Sequence, residues 1–252
     1  MTEELRFALE IAEEAGRLVL RYFQEDTPVE RKADDSPVTQ ADREAETLIR
    51  DRLEKRFPSH SFLGEETGRR DTGSELEWVV DPIDGTKSFI YGVPLFGGLI
   101  GLRRAGEPVL GVAHFPALGD TFWAETGLGA FRNGERIRVS KVARLEDALI
   151  VCGSHAAFIE RRRVRGMNRL ARRAFASRTW GDAYGYCMLA EGRAEIMLDP
   201  VANPWDLCAP MPIVKEAGGT FTDFGGRDGH EWGEAVATNG LLLQDVVEAY
   251  RR

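Results

Sequence analysis

The 252-residue sequence predicts a mixed α+β / α/β chain, with an antiparallel-sheet half at residues 1–145 and an α/β half at 146–252. Three observations point there. After Phe89, short alternating runs are separated by tight turn signals such as Asn133-Gly134, the pattern of an antiparallel meander. Beyond about Ser140, strand-type and helix-type segments alternate, which implies an α/β layer. No internal repeat, low-complexity tract or long linker separates the halves, so they should share one interface.

Taken in order, Thr2 can cap a first helix in which Leu5, Ala8, Leu9, Ala12, Ala15, Gly16, Val19 and Phe23 keep helical spacing. A polar, turn-rich stretch runs from Gln24 to Pro37. Thr39 and Asp42 then have capping-box spacing ahead of a second helix carrying Ala45, Leu48, Ile49, Leu53 and Phe57, which Pro58 ends. Asp42 reads as a cap, with catalysis as the alternative. Ser61-Phe62-Leu63 is a short strand entering the acidic turn Gly64-Glu65-Glu66-Thr67-Gly68. The meander takes in 96–103, 107–115, 121–125, 130–132 and 136–139, with a further turn at Ala105-Gly106. In the second half, strands are expected at 149–152, 177–180, 194–198, 220–222 and 236–238. Helices are expected near 158–173, at 182–191, from about Trp205 to Ala217, and from Leu241 to Tyr250.

The stretch from Trp78 to Phe89 holds the most chemistry. Its apolar run ends in Asp81-Pro82-Ile83-Asp84-Gly85-Thr86. Pro82 fixes its own φ and pushes Asp81 towards an extended conformation, which ends the strand. Asp81 and Asp84 can then turn towards one centre, with the Ile83 carbonyl as a third hard oxygen. If Thr86 opens a helix, the free N–H groups beside Gly85 would hold a phosphate. An Asp-capped turn would use the same residue types. Glu65 is a second acidic point, which parallel neighbouring strands would bring beside Asp81 and Asp84. Asp206, in Asn203-Pro204-Trp205-Asp206, is a third, although an acid at a helix start is also ordinary dipole complementation.

Composition narrows the function classes. With 43% hydrophobic and 29% charged residues, the chain is of globular type, long enough for a sizeable core. A net charge of -8 argues against nucleic acid as a partner. The basic cluster Arg161-Arg162-Arg163, with Arg165, Arg169, Arg172 and Arg173, reads as the wet face of a helix. No apolar run reaches the roughly 20 residues that cross a bilayer, and the start at Met1-Thr2-Glu3-Glu4 is acidic, so no membrane partner and a cytoplasmic location are expected. Cys152, Cys187 and Cys208 read as buried free thiols, and His60, His114, His155 and His230 are too scattered for zinc.

Gly64-Glu65-Glu66, Asp81-Pro82-Ile83-Asp84-Gly85-Thr86, and Pro204-Trp205-Asp206 followed by Glu216-Ala217-Gly218-Gly219 together resemble the inositol monophosphatase family, in order and in spacing, from Glu3 to about Asn239. The resemblance implies a layered αβαβα sugar-phosphatase fold, a homodimer, and magnesium-dependent hydrolysis of a small phosphate monoester. It implies that Glu65, Asp81 and the Ile83 carbonyl hold one Mg2+, and that Asp81, Asp84 and Asp206 hold a second. By the same pattern a metal-bound water attacks phosphorus in line, losing its proton through Thr86, which Asp42 orients and Glu65 assists. Substrate contacts are implied for Asp84, Gly85, Thr86, Asp182, Asp199 and Asp206: the Gly85 and Thr86 N–H groups seat the phosphate, while Asp182 and Asp199 meet the alcohol part. Lys32 is implied on a loop near the metals.

Within the family, Lys87-Ser88-Phe89, Gly92-Val93-Pro94-Leu95-Phe96-Gly97 and Trp180-Gly181-Asp182-Ala183-Tyr184-Gly185-Tyr186 resemble the histidinol-phosphate phosphatase branch. The inositol branch usually has small or hydroxyl residues where this chain has Asp182, an acid that could pair with the ammonium of histidinol. Asp199 stands where a glutamate is common, and Gly98 and Pro210 also depart from the histidinol pattern. An inositol-1-monophosphatase or broad sugar-phosphate phosphatase is the alternative enzyme, and an acidic dimeric structural protein the non-enzymatic one. A nucleotide-dependent kinase is disfavoured because no GxxxxGK[ST] loop occurs.

Overall fold

The computed structural model describes residues 1–25, 28–31, 37–229 and 233–251. In chain order the elements are α1 (Glu3–Leu20), β1 (Val29–Arg31), β2 (Pro37–Thr39), α2 (Gln40–Arg56), β3 (Ser61–Gly64), β4 (Gly68–Arg70), β5 (Leu76–Asp84) and α3 (Thr86–Ile90). The meander follows as β6 (Gly97–Arg104), β7 (Glu107–Phe115), β8 (Asp120–Glu125), β9 (Gly129–Arg132) and β10 (Glu135–Ile137). After a short 3-10 turn (Leu145–Asp147) come β11 (Leu149–Cys152), α4 (His155–Glu160), α5 (Val164–Arg173), β12 (Ala176–Arg178), α6 (Asp182–Ala190) and β13 (Ile196–Asp199). The chain closes with α7 (Pro204–Cys208), α8 (Pro210–Glu216), β14 (Thr220–Thr222), β15 (Ala235–Thr238) and α9 (Leu243–Tyr250).

Among the described residues, one sheet of eight strands has the order β10-β9-β8-β7-β6-β5-β3-β4, and one of five has the order β12-β11-β13-β15-β14. The larger sheet is antiparallel from β5 to β10, and both turns expected in it form with positive φ, at Ala105-Gly106 and Asn133-Gly134. Along β5, Trp78 and Val80 point to α1 and α2, meeting Leu5, Ile11, Ile49 and Leu53. Leu99, Ala113 and Phe122 on the opposite face pack with Leu189 of α6 and Ile213 of α8. Met197 and Ala237 of the smaller sheet join that same central cluster, while Ile196 and Val236 face Leu170 of α5 and Val246 of α9. The layers are therefore helix, sheet, helix, sheet, helix.

Both predicted N-terminal caps form. Thr2 Oγ1 accepts the Leu5 N–H at 3.2 Å, and Asp42 Oδ2 accepts the Thr39 N–H at 2.7 Å. Two expected helices are each broken in two. The arginine-rich one is interrupted between α4 and α5, where Arg162 adopts φ +57°. Arg163 at that break is not on a wet helix face: its guanidinium lies 4.8 Å from the Phe224 ring centroid and bonds Glu234 at 2.7 Å. The helix expected from Trp205 to Ala217 divides at Ala209, because Pro210 has no N–H to donate and starts α8 instead. Cys152, Cys187 and Cys208 are free and buried as expected. Among the described residues no helix is long and apolar enough to cross a membrane.

One packing detail positions the site. Gly101 and Gly111 are paired across β6 and β7. A Cβ on Gly101 would meet Cys208 Sγ at 2.5 Å, and one on Gly111 would meet the Ala209 carbonyl oxygen at 2.0 Å. The end of α7 thus lies directly on a glycine floor, which lets the helix approach β5 closely.

Candidate active site

The acids converge through strand pairing. β3 runs parallel to β5 with Gly64 opposite Val80, and the Glu65 N–H donates to the Val80 carbonyl at 3.2 Å. Glu65 and Asp81, each one residue further along, therefore lie side by side. In a regular strand Asp81 and Asp84 would point to opposite faces. Here the register with β6 passes from Asp81 opposite Leu99 to Asp84 opposite Gly97, so β5 carries one residue more than its partner. That bulge, built on Pro82-Ile83, returns Asp84 to the face of Asp81.

Asp206 arrives from α7 on the same face. Its Oδ2 accepts the Asn203 N–H at 2.7 Å, so it caps the helix and also reaches the other acids. Oxygens of Asp81, Asp84 and Asp206 lie within 4.8 Å of one another. Asp81 is 2% exposed and Asp84 7%. Burial first, and then the neighbouring Glu65 and Asp84, pushes Asp81 well above the usual carboxylate range; burial and then Asp182 and Asp206 do the same to Asp84. Burial is also the main cause that pushes Asp206 up to about 7. Carboxylates this close repel one another, and an all-oxygen donor set of this kind fits a hard divalent cation rather than a soft one.

Around this cluster the remaining predicted residues take defined places. Gly85 adopts φ +77°, and a Cβ there would sit 2.9 Å from the Leu95 carbonyl oxygen, so a side chain is excluded on both counts. α3 starts at Thr86, so its first-turn N–H groups have no partner within the helix, and Gly85, Thr86 and Lys87 line the cleft. The Thr86 hydroxyl donates to the Ile83 carbonyl at 3.0 Å. Asp42, 2% exposed, directs Oδ2 to the Thr39 hydroxyl at 2.6 Å as well as to its N–H. Both bonds use Oδ2, no hydrogen bond joins Asp42 to Thr86, and Asp42 lies close enough to Glu65 to feel its charge. Lys32 and His230 lie outside the described residues.

A cleft of about 570 Å³ opens from the acids, lined by Glu65, Asp81, Asp84, Thr86, Lys87, Asp182, Tyr186, Asp199 and Asp206. Asp182 begins α6 with φ +54°, a conformation costly for a side-chain-bearing residue and frequent at functional sites. Asp182 is exposed at the cleft rim, yet desolvation of its carboxyl against the cleft wall raises its pKa, while Lys87 opposes the rise. Asp199, at the end of β13, is pushed well above the usual range by burial and then by Asp206 and Asp182.

The chain matches the model of the inositol monophosphatase family over residues 1–251. It belongs to that family. As an inositol monophosphatase family member it is a phosphomonoesterase of a metal-dependent kind. It is 42% identical over 251 residues to the histidinol-phosphatase of Chlorobaculum parvum, covering 99% of this chain and 97% of that one. It is 38% identical over 249 residues to the fructose-1,6-bisphosphatase/inositol-1-monophosphatase of Thermotoga maritima, covering 98% and 95%. Among solved structures, the Thermotoga maritima IMPase superposes with a TM-score of 0.92 at 35% identity, covering 99% of this chain and 97% of that one.

Two residues of this family member's site escape the motif reading. Glu46, 0% exposed, accepts the Glu66 N–H at 2.8 Å and the Thr67 N–H at 2.6 Å, so it holds the turn that presents Glu65. Its signal was present: position 46 falls beside Asp42, Ala45 and Ile49 on the inward stripe of α2, where an acid needs a partner. Tyr186 gave none, since an aromatic on an all-apolar helix reads as core.

Proposed function

We propose that this chain hydrolyses L-histidinol phosphate to L-histidinol and phosphate with Mg2+ as its metal. The observation that carries the reading is Asp182, held at the cleft rim in a left-handed conformation beside Asp199, beyond the acids that a metal needs. Two surplus carboxylates suit a cationic alcohol such as an amino alcohol, and a neutral sugar gives them no charge partner. The histidinol-phosphatases of Chlorobaculum parvum, Streptomyces coelicolor and Mycobacterium tuberculosis, at 42%, 40% and 39% identity, support it.

Glu65, Asp81, the Ile83 carbonyl, Asp84 and Asp206 would hold the metal. A bound divalent ion would supply charge neutralisation at the phosphoryl group and acidify water for attack. The Thr86 hydroxyl would relay the proton of that water to the Glu65 carboxylate, which would end the step protonated. Gly85 and Thr86 N–H groups at the start of α3 would seat phosphate oxygens. Asp182 and Asp199 would orient the alcohol part by its ammonium. Asp42 would act through the acidic turn by its proximity to Glu65.

Steady-state kinetics on L-histidinol phosphate, inositol 1-phosphate and fructose 1,6-bisphosphate test the substrate. The highest kcat/KM is expected for L-histidinol phosphate, and a clear preference for either of the others would overturn it. The second reading, an inositol or broad sugar-phosphate phosphatase, is favoured by the Thermotoga maritima match and is decided by the same panel.

The reading extends to a cytoplasmic homodimer. Phe175 is 79% exposed and Trp180 42% exposed, flanking the edge strand β12, which offers an apolar surface to a second copy. Light scattering at the chromatographic peak would return twice the 28.1 kDa chain mass. We also place the boundary between halves at 145/146, between the last strand of one sheet and the first of the other.

A further inference from the structure

Tyr186 is one of the largest fully buried side chains, 1% exposed, and its ring stacks on Phe221 with centroids 5.3 Å apart. Stacking and helix α6 fix where the phenol end points, and it reaches the lining of the cleft. Its hydroxyl makes no well-formed hydrogen bond with any described residue, although it lies beside Asp199 closely enough to steady that carboxylate. A buried hydroxyl without a partner is costly, so its retention calls for a reason. Asp84, Asp182, Asp199 and Asp206 are the charged groups around it. Ionised carboxylates only accept hydrogen bonds, so the phenol can serve them only as donor. Lys87 of α3 is a cation near Asp182 in the cleft lining.

We propose that Tyr186 is a positioning residue for the alcohol end of the substrate: its hydroxyl completes a hydrogen bond to Asp199 when the substrate's polar group draws that carboxylate into place. The inference rests on the role given to Asp199 under the proposed function. Without the phenol, Asp199 keeps a backbone donor at Val201 but loses its side-chain donor and can turn away from the ligand. The loss then falls on recognition of the leaving alcohol, while the phosphate end is held by other groups. A phenol buried for packing alone would behave differently, because the ring and not the oxygen would matter.

The test is a double-mutant cycle of Tyr186→Phe and Asp199→Asn, with full kinetics on L-histidinol phosphate and on p-nitrophenyl phosphate, whose leaving group has neither ammonium nor aliphatic hydroxyl. Tyr186→Phe is expected to raise KM for L-histidinol phosphate more than it lowers kcat, and to cut the preference over p-nitrophenyl phosphate about tenfold, the scale of one hydrogen bond to a charged group. In the Asp199→Asn background the same change should add less than about twofold, since the two residues act as one unit. Metal-free Tyr186→Phe should melt close to the wild type, because the hydroxyl makes no well-formed bond before substrate arrives. Equal losses on both esters, full additivity with Asp199→Asn, or a melting temperature lowered by several degrees would each overturn the proposal. If the wild type prefers a different ester, the substrate reading fails alone, and the cycle is run and judged on that ester in the same way.

Discussion

The Ala183 N–H donates to Asp84 Oδ2 at 2.7 Å, joining residues 99 apart in the chain. The first turn of α6 thereby orients an acid of β5, and the same turn presents Asp182 to the cleft. A carboxylate of the acidic cluster and the residue proposed to read the substrate are fixed by one piece of backbone.

Asp84→Asn keeps the shape and the Ala183 bond while removing a charge. Activity should fall by roughly two to three powers of ten, the scale of a lost electrostatic stabiliser. In EDTA the variant should melt no lower than the wild type, since one repulsive carboxylate has gone. Saturating Mg2+ kinetics and thermal melts check both; turnover near the wild-type value would remove Asp84 from the metal set.

The cluster also sets a pH dependence for the metal-free protein. Asp206 titrates at about 7 in the folded chain and at about 3.9 when unfolded. Between those values the folded state binds more protons, so stability is highest at the acid end and declines as pH rises towards 7. Asp81 and Asp84, shifted in the same direction, reinforce the decline. Melting in EDTA should therefore be higher at pH 5 than at pH 8, and the gain from added Mg2+ should be larger at pH 8. A metal-free melting temperature that rises from pH 5 to pH 8 would contradict the assignment.

Asp182 is best probed by Asn, which tolerates positive φ better than Ala does and so leaves the start of α6 in place. Asp182→Asn should reduce kcat/KM for L-histidinol phosphate about tenfold more than for inositol 1-phosphate, because only the former has an ammonium to lose. Parallel losses on both esters would take the residue out of the alcohol pocket.

Gly111→Ala tests the floor beneath α7. Its Cβ would lie 2.0 Å from the Ala209 carbonyl oxygen, and backbone on both sides leaves little room to give. About 1–3 kcal/mol of stability should be lost to overpacking. Mg2+ affinity should weaken too, as Asp206 is lifted away. Calorimetric titration separates this from a purely structural defect, which would leave the affinity of the folded fraction untouched.

The sheet meander was legible because each strand alternates and the turns carry Asn133-Gly134 and Ala105-Gly106, whose chemistry is local. The break at Pro210 was also written in the sequence, since an interior proline removes a helical hydrogen bond; the apolar periodicity across it outweighed that sign. Nothing local marks Arg162 for positive φ, and that break follows from tertiary contacts such as Arg163 with Glu234. At the site, the acids of Asp81-Pro82-Ile83-Asp84 form a compact motif whose residues are adjacent in the chain, so it is legible locally. Asp42 bonds Thr39 as its capping-box spacing predicts, and that spacing is silent on any part the residue takes beyond the cap. Glu46 was marked by its place on the apolar stripe of α2, but its partners at 66 and 67, like the surroundings of Tyr186, lie across the fold, where no short window of sequence reaches.

The extra residue in β5 has a consequence for how such a centre can be made or lost. Side chains on a strand alternate by parity, and inserting a single residue changes the parity of everything beyond it. Deleting Ile83 would take out the surplus residue and leave the two carboxylates two positions apart, still on one face by plain alternation, but without the kink between them and without the Ile83 carbonyl. A designer wishing to plant two acids on one surface with two residues between them could use the same device, since a smooth strand would leave that pair back to back.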